Sequence, residues 1–578
     1  MTSQVDQTSQ GRLWVFLVSL SVFFCFTVTG HSPNSTDAGF ALLFALLFCV
    51  MPKANRVLLS TRVLFRAFLF CIITAALSLS SIHPWISFLS LPLIIGPMLG
   101  FLCAHACRVD RGPIVMALAA GGCINAAIAI FQKWYLWPEL LTRADPAKMD
   151  AGALAFLQMS RAIGLSLSPD LCGALCLVGL FSSAALLARH EERLPQAVFT
   201  LGCLICIVGI LSTRSAGTAL CLGLWCFFLL YRALQKWRVM ALLISSGGAL
   251  LAFSFFRRSW ISAWTSIHER YLNWVTCVDL WSDTPFTGVG LNRFAFVYAQ
   301  ARPPEANITR YAHHWFFHWL VEYGLLGALM VILLSGLGAW FLFQYDRKER
   351  SWTDFTFTTG IGCVSLRLFF DYDAQIGQTA ILLMVLWGLL GPRSPAAKAS
   401  PPNAHYSFAG LTILLTIALA GGNWLRSDRL SPFEKGAGPQ AQNDAQKLEE
   451  YSERFPGDVM AIHITAQIKL GAILPCTEQC EAQDKVFLEW FQPHVDQPHG
   501  LARNHVLLAI LAQRRGHDEQ AMHHLRDALA IQPDERDAHY YRFLWTKQKT
   551  PKEASIFLQD SLQWHPSAVF EKALKQAP

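Results

Sequence analysis

Residues 311–343 read Y-A-H-H-W-F-F-H-W-L-V-E-Y-G-L-L-G-A-L-M-V-I-L-L-S-G-L-G-A-W-F-L-F. From Tyr323 onward no residue of this stretch is charged. A bilayer core of roughly 30 Å takes about 20 residues of helix, so the stretch is long enough to cross one. Similar apolar runs lie on both sides of it. Spans are expected near 13–28, 38–51, 63–80, 86–104, 113–131, 169–188, 196–211, 216–231, 239–256, 315–343, 355–370, 378–390 and 406–422, the second and twelfth being short. The chain has 578 residues, of which 53% are hydrophobic and 15% charged, and this is too apolar for a soluble enzyme of its size. The expected fold is all-α: a polytopic transmembrane helix bundle of about 12–13 spans over residues 1–425, followed by a helical domain over 426–578. The N-terminus does not read as a secretory signal, because no small-residue cleavage site follows the first run and more spans come after it.

Basic residues in the short loops set the expected orientation. One set of alternate loops holds Lys53, Arg56, Arg62, Arg108, Arg111, Arg189, Arg193, Arg232, Lys236, Arg238, Arg347, Lys348, Arg350, Arg393 and Lys398. The opposite short loops, 29–37, 81–85, 212–215 and 371–377, hold a single one, Arg214. This asymmetry puts the N-terminus in the cytoplasm and, with an odd number of spans, the C-terminal domain on the exported side. Two long segments, 132–168 and 257–314, fall on that side as well. The formal charge of +7 follows mainly from the basic loops and does not point to nucleic acid. Most of the 16 cysteines lie inside spans, where Cys acts as a small apolar residue. Cys476 and Cys480 lie in the exported domain, where a disulfide and two separate thiols are both open.

Beyond Arg426 the charge density rises and the long runs stop. Ala509, Gly516, Ala521, Ala528 and Pro533 have the spacing of a tetratricopeptide repeat, whose small residues let two helices pack closely. Ala554, Ser561 and Pro566 repeat the second half of the pattern about 33 residues later, against a family period of about 34. Phe455-Pro456-Gly457-Asp458, between two amphipathic stretches, suggests an earlier pair. Such pairs bury their apolar faces only by stacking. A plain helical bundle with a structural role is the competing reading.

Charged residues near the bilayer mark candidate sites. On the exported side these are Arg161, Arg214, Arg270, Arg367, Asp371 and the histidines His313, His314 and His318. Arginines gathered at one face would bind phosphate oxygens bidentately, which suits a polyprenyl diphosphate, although each could instead snorkel to headgroups or pair with a local acid. Imidazole is suited to general-base work near neutral pH. His314, His318 and Glu322, at i, i+4 and i+8, offer a competing metal reading, but one helical face supplies few ligands and no H-E-x-x-H is present. An interfacial His/Trp belt is the third reading. No Walker motif and no G-x-G-x-x-G fingerprint occurs, so no cofactor is expected.

Four segments in order resemble the O-antigen ligase superfamily, which includes O-antigen ligases, Wzy-type polymerases and PglL-type protein O-oligosaccharyltransferases. Arg161-Ala162-Ile163-Gly164 with Ser168-Pro169-Asp170 resembles its R-x-x-G…(D/Q)-P-N segment. Leu211-Ser212-Thr213-Arg214-Ser215 is similar to L-T-x-S-R, shifted by one. Arg270 through Trp274, then Asp283-Thr284-Pro285-Phe286-Thr287-Gly288-Val289-Gly290 and Phe294, resemble R-x-x-x-W…D-x-P-x-x-G-x-G…F. The His313 segment resembles H-N-x-x-L-x-x-L-x-E-x-G-x-x-G, with Glu322, Gly324 and Gly327 in register.

The resemblance implies a GT-C-like bundle with His313 at the catalytic histidine, nine residues before Glu322. It implies that Arg214 and Arg270 bind the lipid diphosphate with Arg161 close by, and leaves His314, His318, Glu322 and Arg367 as support. The donor implied is an undecaprenyl-diphosphate-linked glycan in a bacterial inner membrane, handled without metal or cofactor. The acceptor implied is a hydroxyl on a pilin or other periplasmic protein, or on the lipid A core. This sequence departs from the pattern at His314, His318, Ser168 and 364–372, which leaves the acceptor class open. A polymerase extending its own lipid-linked glycan is the alternative. A transporter of lipid-linked sugar fits less well, since polar groups would then be expected near the midplane and on both sides. A membrane scaffold is the remaining reading.

Overall fold

The computed structural model describes residues 2–564 except 28–32, 53–54, 56–58, 60, 108–109, 144–153, 155–156, 167, 235–256, 308, 345–350, 372–376, 391–411, 413, 420, 424, 427–440, 456–457, 474–479 and 496–500. The expected span 239–256, Cys476, Pro566 and many of the basic loop residues lie outside these. Among the described residues every regular element is helical. The membrane half contains α1 (Thr2–Thr27), α2 (Pro33–Cys49), α3 (Thr61–Leu79), α4 (Pro84–Leu89), α5 (Pro92–Ala106), α6 (Gly112–Phe131), α7 (Trp137–Arg143), α8 (Pro169–Leu187), α9 (Arg193–Thr213), α10 (Ala216–Ala233), α11 (Arg257–Asp283), α12 (Phe294–Ala301), α13 (Trp315–Gln344), α14 (Trp352–Arg367) and α15 (Gly377–Leu389). Six helical stretches among the described residues are long and apolar enough to cross a membrane, and shorter apolar helices stand beside them.

One continuous apolar core joins α1, α2, α5, α6, α8, α14 and α15. Other helices turn large apolar side chains outward, among them Leu194, Leu201, Leu204, Leu220, Ile332 and Leu333, as a lipid-facing surface would. Where α6 meets α8, a Cβ built on Gly122 would lie 2.3 Å from the Cα of Gly179. Only glycine permits that approach, which lets two membrane helices pack by close backbone contact.

One helix runs past its expected span. The span expected to end at 131 does not end there. The helix continues through a π-helical turn, Gln132–Leu136, into α7, so the segment 132–168 begins as helix. The two ends of the bundle differ in chemistry. At the start of α6, Arg111 pairs with Asp354, Arg189 comes alongside Gly112, and Arg232 covers the rings of Trp352 and Phe355. The opposite end carries the residues described below.

The C-terminal helices are α16 (Ala441–Arg454), α17 (Val459–Ile473), α18 (Cys480–Val495), α19 (Ala502–Arg514), α20 (Asp518–Ile531), α21 (Arg536–Lys549) and α22 (Pro551–Trp564). Ala509, Ala521, Ala528, Ala554 and Ser561 are buried between successive helices, as close helix packing requires. This region rests on the membrane half at the end opposite Arg111. Trp85 stacks on Phe455 with centroids 4.6 Å apart, and its Nε1 donates to Tyr451 Oη. Arg426 pairs with Asp458 at 2.6 Å, and Arg302 with Asp534 at 2.6 Å.

Candidate functional site

The His313 segment is held by long-range contacts. Trp315 N donates to Leu368 O at 2.7 Å, which ties the start of α13 to the end of α14. Trp274, one turn after Arg270 on α11, donates through Nε1 to Ala312 O at 3.1 Å. Ala312 N in turn donates to His318 Nδ1 at 3.5 Å, and His318 Nε2 lies 3.4 Å from Glu322 Oε1. Held in this way, His313 takes a left-handed backbone conformation with φ +52. That costs a non-glycine residue about 1–2 kcal/mol, and such strain clusters at working sites.

Deeper in the helix, Gly324 (φ +61, ψ −152) breaks α13. The break leaves the Val321 and Glu322 carbonyls without helical donors, and Val289 N and Gly290 N donate to them at 2.9 Å each. The D-x-P-x-x-G-x-G loop therefore docks into the kink. A Cβ on Gly288 would lie 2.4 Å from Glu322 C, so the glycine is required by space as well as by its φ of +69. Glu322 Oε1 also accepts from Phe294 N at 3.3 Å. His318 and Glu322 thus brace the turn that carries His313. His314 points elsewhere, edge-on to Trp274 and Phe369, and burial pushes its imidazole down to about 4. The His314–His318–Glu322 face does not form a ligand set: it divides into one apolar-packed ring and one internal brace.

His313 Nδ1 faces Asp371 Oδ1 at 3.8 Å, and its Nε2 lies 3.3 Å from Thr309 Oγ1. Asp371 also accepts from Arg367 Nη2 at 2.6 Å. Burial would raise the Asp371 carboxyl, but Arg367, then His313 and Arg270, reverse this and hold it at about 2. Arg270 is therefore near enough for its charge to act on the same carboxylate, and it makes no hydrogen bond among the described residues. Arg367 is fully buried. It is also bound to Thr218 Oγ1 and to the Asp170 carbonyl at 3.0 Å. It supports Asp371 and is enclosed by its own partners.

The same network runs on to Arg161. Asp170 Oδ1 accepts from Ser215 Oγ at 2.6 Å and from Arg161 Nη2 at 3.1 Å. Arg161 Nε donates to Thr213 O at 3.1 Å, next to Arg214. The turn 160–165 is clamped by the α6 helix and its extension. Gln132 Oε1 accepts from Ile163 N and Gly164 N, Asn125 Oδ1 from Leu165 N, and Lys133 Nζ and Trp137 Nε1 donate to the Ser160 and Arg161 carbonyls. Arg214 caps α9 in a left-handed conformation, φ +51, with its guanidinium exposed and bonded to Met159 O at 3.2 Å. Lys133 lies within electrostatic reach of it. Sequence reasoning had not assigned roles to Asp371, Asp170, Gln132 or Lys133. Asp371 carried a signal as a charge on the same side, and Asp170 as part of the Ser168-Pro169-Asp170 motif.

The structure thus gathers His313, Asp371, Arg367 and Arg270 into one group and Arg161, Asp170, Arg214 and Lys133 into an adjoining one, linked through Asp170 and Arg367. A base held against a carboxylate, beside arginines with donors to spare, can take a proton from a hydroxyl and hold an anion. No curated protein matches the chain. Residues 199–332 match the family model described as O-Antigen ligase, a stretch that takes in Arg214, Arg270, Gly288, His313 and Glu322; this match supports the resemblance to the O-antigen ligase superfamily, and the apolar helices around it are those of a multi-pass membrane protein.

Proposed function

We propose that the protein moves a glycan en bloc from undecaprenyl diphosphate to a hydroxyl acceptor at the periplasmic face of the inner membrane, as a protein O-oligosaccharyltransferase or an O-antigen ligase. The observation that carries this reading is the strained His313, paired with Asp371 and flanked by Arg270, beside the Arg161–Arg214 turn. His313 acts as general base through Nε2, while Asp371 fixes the ring and stabilises the imidazolium that forms. The 3.8 Å separation is longer than a hydrogen bond and closes when substrate binds, as is common for catalytic contacts seen without ligand. As the acceptor oxygen bonds the anomeric carbon, its proton passes to His313. The bond from that carbon to the diphosphate oxygen breaks, and the electron pair leaves with the phosphate. Arg214 and Arg270 take up the developing charge, an electrostatic role that requires no metal. Arg161, committed to Asp170, positions the turn. One in-line displacement inverts the anomeric centre.

The C-terminal helices, read as a stacked tetratricopeptide-like domain over 426–578, rest at the same end as His313 and so favour a macromolecular acceptor. A polymerase using the same donor is the second reading. The test is transfer in vitro with purified protein, a lipid-diphosphate glycan and either a protein, a lipid A core or a second lipid-linked glycan as acceptor. His313→Ala should lower the rate by about 10²–10⁴ without unfolding the protein. Wild-type turnover in that variant would sink the assignment. Transfer to the lipid-linked glycan alone would replace the ligase reading with the polymerase.

A further inference from the structure

A second cluster of ligating side chains lies in the C-terminal helices, outside the residues proposed for glycan transfer. Helices α19 and α20 are joined by a short turn whose Gly516 takes φ +76. His505 stands eleven residues before Gly516 and Asp527 eleven after it, so the hairpin brings the two level. His524, about one turn before Asp527, lies on the same face. One ligand atom from each of His505, His524 and Asp527 lies within 4.8 Å of the others, and all three residues are partly buried. His505 Nδ1 is 3.9 Å from Asp527 Oδ2, and the His505 and His524 rings are 5.9 Å apart. His523 Nε2 approaches the same Oδ2 at 3.6 Å from the exposed side.

A single imidazole would satisfy Asp527 as an ion pair. Here two imidazoles converge on one carboxylate oxygen and a third stands beside them, an excess of ligands that a cation would use. Imidazole nitrogens with a carboxylate suit Zn²⁺ and its neighbours, whereas Mg²⁺ and Ca²⁺ prefer oxygen alone. Ligand atoms around tetrahedral zinc stand about 3.3 Å apart, so the observed set needs only a small closure. The geometry points to a divalent transition-metal site of the zinc class, made by His505, His524 and Asp527 with His523 as fourth ligand. Bound metal would staple α19 to α20.

The test uses the full-length protein in detergent micelles, with Zn²⁺ titrated by calorimetry and Co²⁺ followed by its visible absorption. One equivalent of Zn²⁺ should bind in the presence of excess Mg²⁺ and Ca²⁺, and Co²⁺ should give a tetrahedral spectrum. The double variant His505→Gln/His524→Gln should weaken binding by about a hundredfold or more, beyond what loss of an outer partner costs. A His313→Gln/His318→Gln variant, which removes the other histidine cluster, should retain it. Should the first double variant lose helicity, His505→Gln and Asp527→Asn, each conserving shape, carry the same comparison. Absence of Zn²⁺ binding in the wild type would overturn the site. So would undiminished affinity in the folded His505 and His524 variants.

Discussion

The Arg302–Asp534 pair is the most exposed test of how the two halves are joined. Arg302 donates to Asp534 Oδ2 through Nη2 at 2.6 Å and Nε at 3.1 Å, and to Ala306 O through Nη1 at 2.6 Å. The two side chains are 2% and 4% exposed. Asp534→Ala would leave a buried guanidinium without its carboxylate. Breaking one side of a buried pair costs about 3–5 kcal/mol, a change of roughly 10²–10⁴-fold in the local docking equilibrium. The Trp85–Phe455 stack and the Arg426–Asp458 pair hold the earlier helices independently, so the loss should be confined to the later ones. Hydrogen exchange measured helix by helix should therefore show lost protection at the α20–α21 turn and at 302–306, with α16 and α17 unchanged. Replacing both partners by apolar residues of similar size, Arg302→Met/Asp534→Leu, should restore most of the protection. Wild-type exchange in Asp534→Ala would refute the reasoning, as would a double variant as poorly protected as the single one. Under the proposed function, Asp534→Ala should also slow transfer to the natural acceptor more than transfer to a small hydroxyl surrogate.

Arg214→Lys and Arg270→Lys should both fail to restore donor affinity lost in the alanine variants, because the bidentate fork is absent; titration with a lipid-diphosphate glycan reads this directly. Gly288→Ala should abolish activity and lower the thermal midpoint, since its Cβ would meet the Glu322 backbone at 2.4 Å, whereas Gly223→Ala, with nothing within 4 Å, should be neutral or mildly stabilising. Burial lowers His463 to about 4 from 6.5, so the unfolded chain binds the extra proton first as pH falls. The stability of α17–α19 should be complete above about pH 6.5 and fall by up to roughly 3 kcal/mol as pH drops to about 4. His463→Gln should flatten that profile in hydrogen exchange.

The apolar runs carried the membrane half well: 169–188 and 196–211 correspond to Pro169–Leu187 and Arg193–Thr213. Those signals are local, and a bilayer imposes a length that sequence can match. The short α4 and the π-helical turn were not legible, because neither interrupts the apolar pattern in a way that a span count registers. The site was legible in part. His313, Arg214, Arg270 and Arg161 were singled out as candidates by motif register. The Asp371 partnership was not, since 58 residues separate it from His313 and only the tie between α13 and α14 brings them together. Arg367 read as a candidate support residue on the exported side, but its enclosure by three internal acceptors did not show in the sequence. His318 and Glu322 read as support for His313, with a metal reading in competition, and their i, i+4 spacing serves an internal brace.

The π-helical turn at Gln132–Leu136 gives this stretch an unusual tolerance profile. Each of its hydrogen bonds encloses one residue more than an α-helical bond does, so the register downstream depends on a count and not on side-chain chemistry. Deleting any one residue between 132 and 136 would let the segment relax to an unbroken α-helix. The wide turn already holds the extra residue, so that loss would leave the downstream helix in nearly its present register and Trp137 still facing the Arg161 carbonyl, whereas a deletion in the flanking α-helix would rotate it by about 100°. Substitutions and single in-frame codon losses at Trp134, Tyr135 or Leu136 should be accepted, while a codon loss in the flanking α-helical turns should abolish activity. A deep mutational scan that includes deletions would show this as a narrow band of deletion tolerance inside an otherwise intolerant helix.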